Sequence, residues 1–119
     1  MQASLHINKD SKSSIKMYKL NYYVPAHAKE ETKNALFKIG VGKFDNYETC
    51  SWETLGTGQF KPIANAKPNI GQLDTLEILD EYKIELICHD ELIEKAIETL
   101  KETHPYEEVA YEVFKMEEF

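Results

Sequence analysis

Residues 17–24 (MYKLNYYV) alternate, with Tyr18, Leu20, Tyr22 and Val24 on one side and Lys19, Asn21 and Tyr23 on the other. A period of two puts one set on a buried face and predicts a half-buried strand that Pro25 closes. Ala28, Thr32, Ala35, Leu36 and Ile39 then recur at helical spacing, with Gly40 as C-cap and Gly42 at the exit. Residues 46–52, rich in Tyr, Thr and Trp, predict a second strand, and 54–58 (TLGTG) a turn that folds it back. Residues 59–72 carry two prolines, two asparagines and a glycine, and predict a long exposed loop with a short strand at its start. Alternation resumes over 74–88 through Leu76, Ile78, Tyr82, Ile84, Leu86 and Cys88. Asp90 is the expected N-cap of a second helix, with Glu91 and Glu94 favouring its dipole and Ile93, Ala96, Ile97 and Leu100 as its stripe. His104-Pro105 ends that helix, and Val109, Tyr111 and Val113 mark the last strand.

The order is β-α-β-β-α-β. Two right-handed β-α-β crossovers give an α+β, ferredoxin-like plan: a four-stranded antiparallel sheet with both helices on one face, and a long loop between strands 2 and 3. Residues 1–16 are polar and without period, and predict a flexible N-terminal tail before a single domain over 17–119. Met17, where the first strand opens, is also a candidate start.

A chain of 119 residues is long enough to bury a core without staples. A formal charge of −7 argues against a nucleic-acid surface, which wants clustered Lys and Arg. No apolar run nears the roughly 20 residues that span a bilayer, and 1–16 has no apolar signal core, so the reading is cytoplasmic with no membrane. Cys50 and Cys88 lie in separate predicted strands and form no C-x-x-C.

The densest chemistry is His104-Pro105-Tyr106-Glu107-Glu108, at the hand-over from helix to strand. It reads either as a rigid corner with His104 capping helix carbonyls, or as a site where His104 and Glu107 share a divalent metal ion. The second reading needs a third ligand from elsewhere in the fold or from a neighbouring subunit, with Glu108 in reserve. A second cluster is Asn46, Tyr47, Cys50 and Trp52. In a strand Cys50 and Trp52 share a face, with Cys50 either a soft ligand, a redox thiol or a small hydrophobe. Tyr47, Cys50, Trp52 and Tyr106 are thus the candidate ligand-binding residues. No set of residues forms a nucleophilic catalytic site, so no catalytic residue is assigned. The glycine pairs Gly40/Gly42 and Gly56/Gly58 complete no phosphate loop and read as a cap and a turn. Lys61, Lys67 and the amides near Gly71 offer an anion a place in the long loop.

Several segments together resemble a known family. They are Val24-Pro25, Ala35-Leu36 leading to Gly40-x-Gly42, Asn46-Tyr47-Glu48-x-Cys50-Ser51-Trp52, and Gly56-x-Gly58-x-Phe60-x-Pro62. Pro68-x-Ile70-Gly71, Glu81-Tyr82-Lys83-Ile84-Glu85 and His104-Pro105-Tyr106-Glu107-Glu108 with Ala110-Tyr111 complete them. Over about residues 17–116 the chain resembles the YqfO-type domain of the Nif-three-like proteins, named as type 2 homologues of GTP cyclohydrolase I, here as a stand-alone protein. The resemblance implies a PII-like or CutA-like fold and a homo-oligomer, commonly a trimer. The open face of the sheet, with Tyr23 and Phe114, is where subunits would meet. The family's dinuclear metal centre lies in flanking domains whose sequence this chain lacks, so neither those ligands nor an enzyme name carries over. The resulting expectation is a small binding or regulatory module that takes a metal ion or small ligand. The alternative is an accessory module that docks on a metal-dependent, hydrolase-type partner enzyme.

Overall fold

Strand β1 (Met17–Pro25) is the spine of the sheet, hydrogen-bonded on both sides in a computed structural model that describes residues 16–119. It pairs antiparallel with β3 (Glu77–His89) from Met17↔His89 to Pro25↔Glu81, and with β4 (Tyr111–Lys115) from Tyr18↔Lys115 to Tyr22↔Tyr111. Strand β2 (Trp52–Phe60) pairs with the outer side of β3, giving the order β2-β3-β1-β4. Helix α1 (Lys29–Lys38) follows a 3-10 turn at Ala26–Ala28, and α2 (Ile93–Thr103) follows one at Asp90–Leu92. The expected tail lies outside the described residues except for Lys16, whose carbonyl accepts the Asp90 N–H at 3.0 Å. Asp90 makes no side-chain cap; it heads the 3-10 turn instead.

The alternation read from the sequence sorts the two faces of the sheet. Leu20, Tyr22 and Val24 of β1 and Ile84, Leu86 and Cys88 of β3 are fully buried with Leu36, Ala96 and Leu100 of the helices. Each such aliphatic side chain contributes about 1.5–3 kcal/mol by leaving water. Burial pushes the Cys88 thiol up to about 11, so it packs as a small hydrophobe. Within this core the Tyr22 hydroxyl lies 2.8 Å from Thr32 Oγ1. Thr32 itself donates to the Lys29 carbonyl, so Tyr22 is the donor of that pair. Glu53 of β2 accepts from both Lys29 and Lys33, at 2.7 and 2.8 Å, and ties α1 to the edge of the sheet.

Two expected elements are absent as drawn. Residues 46–51 are no strand, and only Trp52 belongs to one, as the first residue of β2: Asp45 just before the segment and Thr49 within it have φ of 51° and 57°, which a pleated chain cannot contain. The segment is an irregular excursion between α1 and β2. Gly42 N–H bonds the Ile87 carbonyl at 2.8 Å and Cys50 N–H bonds the Gly42 carbonyl at 2.8 Å. Phe44, brought in by this excursion, joins Met17 and Ile87 in a small apolar cluster on the sheet face away from the helices. Nor do residues 54–58 turn. They are the middle of β2, and neither Gly56 nor Gly58 has a positive φ. At Gly58 glycine serves space, not chain reversal. The long loop accordingly begins after Phe60 and closes with Asp74 N–H on the Pro62 carbonyl at 2.6 Å.

Candidate functional site

The corner at 104–108 and the loop after β2 meet at one end of the sheet. His104 is the C-cap of α2, and its extended backbone (φ −79°, ψ 139°) is what the following proline requires. Its ring therefore turns away from the helix and toward β1. Nε2 lies 2.7 Å from the Tyr23 carbonyl oxygen, and Nδ1 accepts the Tyr106 N–H at 3.1 Å. A carbonyl only accepts and an amide N–H only donates, so the imidazole is neutral, protonated on Nε2. Burial holds its pKa below the ordinary value; the Tyr23 carbonyl and Glu81 oppose that shift and His27 adds to it.

This geometry leaves His104 no lone pair for a metal ion. Glu107, the other half of the expected metal pair, points its carboxylate at the loop, where both oxygens lie 3.1 Å from the Lys67 backbone nitrogen. Among the described residues no group of three or more His, Cys, Asp or Glu side chains is placed to hold a metal ion.

Tyr106 is directed by the same turn. Its ring stands edge-on to His104 at 4.8 Å and tilted against Phe60 at 6.0 Å. Its hydroxyl is buried beside the Glu81 carboxylate, although the pair falls short of full hydrogen-bond geometry. Burial, with the Glu81 carboxylate acting in the same direction, pushes its pKa far above the ordinary tyrosine value. Tyr106, Phe60 and Glu81 line a cleft of about 380 Å³ roofed by Pro62, Ile63 and Pro68 of the loop. That volume is in the range of small-molecule pockets.

Glu81 and Gly58 explain each other. Glu81 shares the alternation of Lys83, Glu85 and Ile87, so it faces away from the helices and across to β2. Its carboxylate lies over Gly58, where a Cβ would coincide with it. Phe60, two residues on, faces the same way and packs on Gly71, whose φ of +97° turns the loop. Glu81, Gly58 and Phe60 were not singled out as site residues from the sequence. The available signal was a glycine inside a strand, which marks a close approach.

The second predicted cluster stands apart from this cleft and lines none of it. Tyr47 and Trp52 are half exposed, at 50% and 58%. Trp52 donates its indole N–H to Thr54 at 3.1 Å, and Cys50 sits in the excursion with its sulfur 3.9 Å from the Glu48 carbonyl. Of the four ligand-binding candidates, only Tyr106 lines the cleft.

A four-stranded antiparallel sheet in the order β2-β3-β1-β4 with two helices on one face is a ferredoxin-like fold of the CutA and PII type. A divalent ion tolerance protein, CutA1 of Ehrlichia chaffeensis, overlays on 90% of this chain and 87% of its own with a TM-score of 0.66 at 15% identity, a likeness of fold. In sequence the chain is similar to the YqfO-type segment of Nif-three-like proteins. It is 38% identical over 99 residues to a GTP cyclohydrolase 1 type 2 homologue of Staphylococcus epidermidis, covering 83% of this chain and 27% of the relative. A Bacillus cereus protein related to NIF3 overlays with a TM-score of 0.73 at 35% identity, over 87% of this chain and 26% of the other. The chain thus spans about a quarter of the length of the curated relatives it matches. No family model matches it. No helix among the described residues is long and apolar enough to cross a membrane.

Proposed function

We propose that this chain is a small binding module that takes a small-molecule ligand in the cleft between the β2–β3 loop and the 104–108 corner, and that it works as a homo-oligomer, a trimer. The observation that carries the reading is the cleft itself. Its walls are largely apolar, it holds a few convergent polar groups, and the Lys67–Glu107 contact fastens its roof to its floor. A well-formed apolar pocket with a few convergent polar groups is the default candidate for a ligand site. A divalent metal ion is not assigned to His104, because both ring nitrogens are engaged by main chain.

A thermal-shift screen against nucleotides, divalent metals and small metabolites tests this, because a ligand that binds only the folded state raises the melting temperature by mass action. Ala66→Trp, which fills the cleft, removes the response. A screen without any response, or one that survives Ala66→Trp, overturns the reading. The oligomer is supported by the sheet face away from the helices. There Trp52 and Phe114 are more than half exposed, and Asn21 Oδ1 is buried without a partner among the described residues. Light scattering at micromolar concentration gives three times the chain mass, and a monomer mass rejects it.

A second reading has one observation in its favour. Relatives carry the matching segment as about a quarter of their length, so this chain can serve in trans the remainder of such a protein. Gel filtration of the chain mixed with a relative trimmed of its matching segment shows a joint peak on that reading, and separate peaks otherwise.

A further inference from the structure

The cleft is not neutral. Glu81, Glu107 and Glu108 line it against the single cation Lys61, and Glu107 is engaged by the Lys67 amide. Glu81 has no ion-pair partner among the described residues and is half buried. Facing the same cleft is the Tyr106 hydroxyl, buried beside the Glu81 carboxylate. The phenol and the carboxylate thus sit side by side as one polar end of an otherwise largely apolar cleft. The sequence also keeps space for the carboxylate: Gly58 is bare where any side chain would displace it. Phe60 and Tyr106 present aromatic rings 6.0 Å apart beside these two groups.

We propose that Glu81 and Tyr106 form the polar end of this site and select a small organic cation, an ammonium or amidinium group carried on a short apolar body. This rests on the reading of the cleft as a ligand site and names its ligand class. The carboxylate pairs with the positive charge, and the phenol oxygen accepts one of its N–H groups. The two rings attract the cation through their faces, and Pro62, Ile63 and Pro68 cover its apolar part. An anion entering the same space meets three carboxylates and one ammonium.

The test compares phenethylammonium with 3-phenylpropanoate, nearly the same body with opposite charge, and with ATP, by calorimetry and NMR titration of the full chain. Phenethylammonium binds saturably and shifts the Tyr106 resonances; 3-phenylpropanoate and ATP do not. Glu81→Gln weakens the cation at least about tenfold, since a hydrogen bond to a charged partner is lost. Gly58→Ala does the same without changing the charge, because its methyl displaces the carboxylate; the far end of Glu81 is flexible enough to move, so the circular dichroism stays native. Absence of phenethylammonium binding, stronger binding of either anion, or a response unchanged in both variants overturns the cation assignment. Binding of an anion that Ala66→Trp abolishes overturns it while leaving the cleft reading in place. Binding that ignores Ala66→Trp defeats both.

Discussion

The His104 ring joins the end of α2 to the carbonyl of Tyr23, 81 residues earlier in the chain, across a 2.7 Å hydrogen bond. The other ring nitrogen holds the Tyr106 amide, so one side chain fixes the position of β1 against the corner that floors the cleft. Replacing it with alanine strands two partly buried main-chain groups. His104→Ala lowers stability by about 1–3 kcal/mol, measured by urea denaturation. A loss under about 0.5 kcal/mol contradicts the structural role assigned to the ring.

The same histidine makes stability depend on pH. Its folded pKa lies below the ordinary 6.5, so between the two values the unfolded chain binds the proton and the folded chain does not. Its contribution is therefore complete above 6.5 and is lost as pH falls through that value toward the lowered one. Glu53, held below the ordinary 4.5 by its hydrogen bonds to Lys29 and Lys33, acts with the same sign only at lower pH. The slope of stability between about pH 7.5 and pH 5.5 is positive in the wild type and flatter in His104→Ala.

Gly42 is held at φ +79°, and a Cβ there would come within 2.7 Å of the Cys50 carbonyl oxygen and 3.1 Å of the Phe37 ring. Both the conformation and the space demand glycine. Gly42→Ala destabilises by about 2 kcal/mol or more, read from the denaturation midpoint, and loosens the 41–51 excursion.

Gly56 is the contrast. Its nearest neighbour to a Cβ is the Glu81 carbonyl oxygen at 3.9 Å, and its φ is not positive. Gly56→Ala in β2 is neutral or stabilising by up to about 1 kcal/mol, because a strand glycine has more entropy to lose on folding. A marked loss of stability would falsify the view that this glycine performs no turn.

Tyr22→Phe removes one buried hydroxyl from the core while Thr32 keeps its bond to the Lys29 carbonyl. The cost is about 1 kcal/mol, with packing retained, and is read by thermal or chemical unfolding.

Period and punctuation along the chain determined the element order, the buried face of β1 and β3, and both helices. Those are properties of neighbouring residues: alternation in Leu20, Tyr22 and Val24, the stripe through Ala96 and Leu100, and a proline after His104. The extent of β2 was not of this kind. The TLGTG segment reads as a turn because glycine is the commonest turn residue, yet its pairing with β3 and the Glu81 side chain over Gly58 exist only once the strands lie side by side. Likewise the sequence placed His104 and Glu107 three residues apart and invited a shared metal ion. Tertiary structure decided that the histidine faces the Tyr23 carbonyl and the glutamate the Lys67 amide, because each group must satisfy the nearest main-chain partner that folding brings to it.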